Sequence, residues 1–261
     1  MFEIKNNKLQ VEIANHAAEV HSLKKTGEDY NYVWSGNPEY WAGRNPILFP
    51  QVGSNSEKTI KINGIKKPIG NHGFARNAEF ELVEEKEDEL TLKINETEKT
   101  YDYYPYKFEL KVNYKLNNNR LDITYTITNN DDKLMPFGFG LHPAFACAHN
   151  YEDTSVSFNN QEVCGDKLII NQELFDKYPT YVIDKPKSTI ATLNSKDRSI
   201  SIEYIGYNIF AIWSKGDYVC LEPWMNITED DSEIEFKDNK GMMFLEPKQS
   251  KVFKYSWIVN K

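Results

Sequence analysis

Five polar side chains in this sequence have the chemistry and the setting to act on a small molecule. His72 lies in IGNHGFARNAEF (69–80), between Asn71 and Gly73, with Arg76 four residues on. A stretch this short and glycine-containing is a poor core element, so imidazole and guanidinium belong to a loop. His142 follows PFGFGL. If that run is extended, Phe137, Phe139 and Leu141 share one face, and Gly138, Gly140 and His142 share the other. The aromatic face seeks the core. Glycine weakens a strand, and close approach by a ligand is one reason to keep it; a bulge with a packed histidine is the plainer reason. Glu222 sits in DYVCLEPW (217–224) with the same geometry: Val219 and Leu221 face one way, Tyr218, Cys220 and Glu222 the other. Flanked by Leu221, Pro223 and Trp224, its carboxylate is expected to be partly desolvated, which raises a carboxyl pKa and strengthens it as a base. The alternative is an exposed strand-end glutamate. Arg44, between Gly43 and Asn45, can offer its planar fork of donors to hydroxyls or phosphate, or simply pair at the surface. Trp41, Trp213 and Trp224 are flat apolar surfaces for the C–H faces of a sugar, or core.

Strands must position these groups. In YKFELKVNYKL, alternate residues from Tyr106 to Leu116 are apolar and the rest polar; RLDITYTITN repeats the pattern with Leu121, Ile123, Tyr125 and Ile127. Asn117, Asn118 and Asn119 lie between them, and asparagine tolerates left-handed backbone, so a hairpin is expected. LQVEIA, AEFELVEE, ELTLKIN, SISIEYI, NIFAIW, YVCLE and KVFKYSW read as further short strands. NQELFDKY is the best short helix. Many strands without βαβ alternation predict an all-β fold, a large antiparallel β-sandwich or barrel. No linker or repeat divides residues 1–261, so one domain is expected. The acidic run TEDDSEIEFKDN (228–239) reads as a solvated loop.

The formal net charge of −8 argues against a nucleic-acid partner, which needs clustered cations. A neutral small molecule fits; an anionic one needs a local positive patch. No apolar run is long enough to span a membrane. The N-terminus is polar and alternating, unlike a signal peptide. Cys147, Cys164 and Cys220 show no CxxC spacing, which suggests reduced thiols in a cytoplasmic protein. His16, His21 and His149 have no motif around them. Monomer and homodimer both remain open.

GRNPILFP, HGFAR, LHPAF and CLEPW, in this order on an all-β chain of this length, resemble the aldose 1-epimerase (galactose mutarotase-like) superfamily, and most closely its LacX-like branch. HGFAR is also similar to the motif of the hexose-6-phosphate mutarotase branch. The resemblance implies a β-supersandwich with a sugar cleft on its concave face, no cofactor and no metal. It implies Glu222 as the general base that takes the anomeric hydroxyl proton, and His142 as the acid that protonates the ring oxygen. It implies His72 as a second histidine bonding the sugar near that oxygen, and Arg44 as a sugar-binding arginine. Arg76 either holds its loop through a carboxylate or joins Arg44 on a 6-phosphate. Trp213 and Trp224 would add binding surface. The aspartate that galactose-type members place on the sugar hydroxyls has no counterpart identified in this sequence, so the choice of sugar stays open. The implied activity is α/β anomer interconversion of a hexose, with the 6-phosphate as an alternative substrate.

Two other readings compete. Two histidines and a glutamate on a β scaffold can form a metal-binding facial triad, although His72 and His142 are far apart and no HxH or HxxxH pair exists. A catalytically silent sugar-binding or sensing module would share the same cleft.

Overall fold

The computed structural model describes residues 1–196 and 198–260. Strands Phe108–Asn117 and Arg120–Asn129 bury every second residue and pair antiparallel from Arg120↔Asn117 to Asn129↔Phe108. Asn118 and Asn119 make the turn, with Asn118 at a φ of +55° that asparagine accepts at little cost. This hairpin sits inside a nine-stranded antiparallel sheet. Its spatial order is Gly165–Ile169, Thr154–Glu162, Ile190–Ser195, Arg198–Glu203, Ser250–Val259, Arg120–Asn129, Phe108–Asn117, Glu89–Asn95, Glu81–Glu85. The edge strand Glu81–Glu85 is exposed along its whole length, and Glu81, Glu84 and Glu85 discourage another chain from pairing there.

A second sheet packs against the first. Its order is Tyr181–Asp184, Ile209–Gly216, Tyr218–Trp224, Gly140–Leu141, Ile47–Leu48, and Ala144–Ala146 also pairs with Tyr218–Trp224. Aromatic side chains lock the two layers. Phe139 stacks on Phe253 with ring centroids 4.4 Å apart, and Phe145 meets Trp257 edge-on at 5.0 Å. All four are buried, and each contributes roughly 1.5–3 kcal/mol by leaving water. The expected antiparallel sandwich is therefore observed. Val219 and Leu221 join this inter-sheet core, whereas Tyr218, Cys220 and Trp224 pack on the opposite face. The face alternation of DYVCLEPW is as expected, and the second face is where the chemistry collects.

Smaller elements differ in part from expectation. Helix Gln172–Lys177 forms, and the Asn171 side chain caps it by accepting from Leu174 N at 2.8 Å. A second short helix, Glu98–Tyr103, has no buried residue and hence no apolar stripe to reveal it; a Thr97/Thr100 capping box starts it. The acidic run is more than solvated loop. Lys61 Nζ donates to Glu233 at 3.1 Å, Gly64 N donates to Glu235 at 2.7 Å, and Phe236 and Asn239 are buried. These contacts pin the run to the hairpin of strands Thr59–Ile62 and Ile65–Pro68. Cys147, Cys164 and Cys220 are free thiols. No helix among the described residues is long and apolar enough to cross a membrane.

Candidate active site

Strand register brings His142 and Glu222 together. Gly140 pairs with Trp224 and Ala144 pairs with Cys220. Counting two residues inward from either pair sets His142 directly across from Glu222. Residues opposite each other on neighbouring strands project on the same face, with Cβ atoms about 5 Å apart. The side chains then meet: His142 Nε2 lies 3.2 Å from Glu222 Oε2. Both groups are buried, Glu222 at 1% exposure and His142 at 7%. Among the described residues, neither Glu222 oxygen has a partner in good hydrogen-bond geometry, and His142 Nδ1 has none either. A buried acid and base with open valences are unfavourable for stability, and such groups gather at functional sites.

His72 reaches the same place from a loop. Its backbone N–H donates to the Gly53 carbonyl at 2.9 Å, and Gly53 N–H donates to its Nδ1 at 2.9 Å. Nδ1 must therefore be the unprotonated nitrogen, so the ring hydrogen sits on Nε2 and can be donated. The ring centroid is 5.5 Å from that of His142. His72 and Gly73 both take positive φ, +66° and +74°. A Cβ on Gly73 would sit 2.2 Å from the Phe49 carbonyl oxygen, which accepts from Phe74 N and Ala75 N. Gly73 thus permits close approach of the loop to its own backbone rather than to a ligand. Gly138 and Gly140 are similar: added Cβ atoms would meet Asn226 Oδ1 and Trp224 Cδ1, each at 2.8 Å. These glycines seat Asn226 and Trp224, so the open-face reading of PFGFGLH is corrected.

Arg76 stands on the short turn Ala75–Asn77, and the charges of Glu19 and Glu222 both act on it. Glu19 was not anticipated. Its residue type is apparent in the sequence, but its partners come from a distant loop: Glu19 Oε1 accepts from Arg44 N at 2.8 Å and Asn45 N at 3.0 Å. Asn45 in turn clamps the Val20 backbone through both its amide atoms. The Arg44 guanidinium donates to the Ser35 carbonyl and packs on Gly36. Trp41 covers the imidazole of His142 at a centroid distance of 4.8 Å, and Trp213 lies 5.6 Å from the same ring. Trp41 and Trp213 also touch Tyr218. The indole N–H of Trp224 is near enough to the Glu222 carboxylate to lower its pKa, but does not reach normal hydrogen-bond geometry.

Burial sets the electrostatics. Desolvation pushes the Glu222 carboxyl well above the usual carboxylate range, with Trp224 and Arg76 opposing it. Desolvation pushes His142 well below the usual imidazole value, aided by His72 and Arg76. His72 falls to about 3, chiefly through burial and secondarily through Arg76, so it stays neutral. Burial thus disfavours both charged forms, carboxylate and imidazolium, and favours the uncharged distribution, carboxylic acid beside imidazole. Shifting the acid's proton to the imidazole gives carboxylate and imidazolium with no change in net charge. One more ligating group adjoins the pair: donor atoms of His142, Cys220 and Glu222 all lie within 4.8 Å of one another. The trio of His72, His142 and Glu222 is not the one that converges, because Gly53 occupies the Nδ1 of His72. Elsewhere, His16 pairs with Glu79 and His149 with Asp217 at the surface, as structural histidines do.

A sequence model of the aldose 1-epimerase family matches residues 1–193. The plasmid form of Protein LacX from Lactococcus lactis subsp. lactis is 29% identical over 275 residues, covering 91% of this chain and 92% of that protein. A galactose mutarotase-like protein from Lactobacillus casei ATCC 334 superposes with a TM-score of 0.92 at 25% identity, covering 100% of both chains. A galactose mutarotase related enzyme from Lactobacillus acidophilus gives a TM-score of 0.92 at 27% identity, covering 100% of this chain and 97% of that one.

Proposed function

The chain belongs to the aldose 1-epimerase family, and from that premise we propose that it interconverts the α- and β-anomers of a neutral aldohexose through the His142–Glu222 pair. The single observation that carries this reading is the buried, cross-strand contact at 3.2 Å between imidazole and carboxylate. A hemiacetal presents its hydroxyl oxygen and its ring oxygen on one carbon. Two groups side by side serve them better than two groups on opposite faces of the sugar.

The proton inventory closes. In the charged distribution, the Glu222 carboxylate takes the proton of the C1 hydroxyl. That O–H electron pair becomes the carbonyl bond as the C1–ring-oxygen bond breaks, and His142 imidazolium gives its proton to the departing ring oxygen. The pair is now uncharged, the distribution that burial favours, so the open-chain sugar is matched to the lower-energy form of the pocket. Rotation about C1–C2 presents the other carbonyl face. Closure runs in reverse: His142 recovers its proton as the ring oxygen attacks C1, and Glu222 returns its proton to the new anomeric hydroxyl. General acid and base each supply on the order of 10²–10⁴-fold.

In this reading His72 donates its Nε2–H near the ring oxygen, and Trp213 and Trp224 pack on the sugar. Arg44 holds its own loop through Ser35 and Glu19, and Arg76 supplies positive charge near Glu222. Trp41 must swing off His142 to admit the ring, since Glu222 is almost wholly covered. A neutral sugar is favoured over a 6-phosphate because Arg76 is partly buried and already under the charge of Glu19. The free thiols suit a reducing, cytoplasmic setting. Polarimetry on a panel of free and 6-phosphorylated aldohexoses is the test. Acceleration of a free hexose above the spontaneous rate is expected. Acceleration confined to 6-phosphates would replace the substrate, and none with any hexose would end the reading.

A further inference from the structure

Cys220 takes no part in the proton transfers above, yet it completes a coordination set. Cys220 and Glu222 are two apart on one strand and so project on one face, and His142 is opposite Glu222. Ala144, opposite Cys220, adds only a methyl group to that quartet. The donor atoms converge to within 4.8 Å of one another. His142 Nε2 and Glu222 Oε2 are 3.2 Å apart but not aligned as a hydrogen bond. That separation does match one edge of a zinc tetrahedron, about 3.3 Å for Zn–N and Zn–O bonds near 2.0–2.1 Å.

We propose that His142, Cys220 and Glu222 form a site for a thiophilic divalent cation of the zinc type, and that such an ion reversibly switches off the acid–base pair. A metal binds thiolate, neutral imidazole and carboxylate, so binding displaces any protons these donor atoms hold. Thiolate and carboxylate offset the ion's two charges, and the buried complex is neutral. A thiolate, an imidazole and one carboxylate oxygen suit zinc, cadmium or mercury; magnesium and calcium need more oxygen ligands than the site offers. The bound ion occupies the nitrogen and oxygen that would otherwise carry protons, so anomer exchange stops. That consequence rests on the proposed function; the coordination does not.

The test is zinc titration of chelator-stripped protein against a chromogenic zinc chelator, with proton release followed in weak buffer. One ion per chain, with release of protons on binding, is expected. Since even outer-shell changes cost 10–100-fold in metal affinity, Cys220→Ala, which removes a ligand, should lose at least about 100-fold. Cys220→Ser, which preserves the packing volume, should behave the same way, and magnesium should not compete. Metal-free Cys220→Ala should retain the parent's exchange rate and lose its inhibition by zinc. A Cys220→Ala or Cys220→Ser protein that binds zinc as tightly as the parent overturns the proposal, because the ion then sits elsewhere. A parent that binds no zinc at micromolar concentration overturns it too. Ion binding is read without turnover, so failure here is distinct from failure of the anomer chemistry.

Discussion

Replacing Glu222 by Gln separates two pictures of the buried pair. Gln is nearly isosteric with Glu, so at 1% exposure the change opens no cavity. If Glu222 rests as the uncharged acid, as its burial dictates, the substitution removes no charge. Stability should then change by less than about 1.5 kcal/mol, in line with volume-conserving exchanges. Were the resting pair an ion pair, Gln would strand a buried imidazolium at a cost of about 3–5 kcal/mol. At roughly 2–4 °C of Tm per kcal/mol for a chain of this size, the two cases are easily told apart. Activity should nevertheless fall by about 10²–10⁴-fold, because the amide cannot accept the anomeric proton. His142→Asn should fall by a similar factor. The double variant should fall little further, since the two groups act as a unit on one shared proton. Polarimetry gives the rates and calorimetry the Tm. Fully multiplicative losses in the double variant would refute the shared-proton argument, and a Tm loss of ion-pair size would refute the uncharged resting state.

The pH–rate profile should keep its plateau below pH 6.5, because the acid limb requires a second proton on a pair whose imidazole is held down by burial; an acid limb at or above 6.5 contradicts this. His72→Asn should lower kcat/KM by roughly 10- to 100-fold through loss of one hydrogen bond to developing charge, measured by progress curves on a pure anomer. The folded state holds His72 at about 3 and His21 at about 4. An unfolded histidine takes up its proton near 6.5, so between these values the unfolded chain binds more protons. Stability is thus lost as pH falls through that window, by up to about 1.4 kcal/mol per pH unit for each group, and urea titrations of His72→Asn should show a shallower loss. Gly73→Ala should destabilise by roughly 1–3 kcal/mol from its left-handed φ alone, with a further cost from the Phe49 carbonyl, and thermal melts should show it.

The sequence made the strands readable because the sandwich is amphipathic at period two. The hairpin at Asn118 and the two faces of Tyr218–Trp224 follow directly from alternation. His142 and Glu222 were recognisable as candidates for the same reason, each standing on the polar side of an apolar strand. Their contact was not readable, since it depends on the register between residues 140 and 224, a non-local property with no local signature. Glu19 was missed as a neighbour of the site for a similar cause, since its partners Arg44 and Asn45 lie in a distant loop. The glycines misled in a different way. Gly138 and Gly140 answer to steric demands from Asn226 and Trp224, which sequence spacing cannot distinguish from room for a ligand. Helix Glu98–Tyr103 went unseen because it buries nothing.

The central claim is that one proton, shared between His142 and Glu222, opens and closes a pyranose at C1. Two-dimensional exchange NMR on a 1-¹³C-labelled aldohexose at anomeric equilibrium tests it most directly. Cross-peaks between the α and β signals, growing faster than in water and vanishing when both residues are replaced, are the predicted result. Exchange that persists undiminished in the doubly substituted protein, or parent protein that binds the sugar without accelerating exchange, would contradict it.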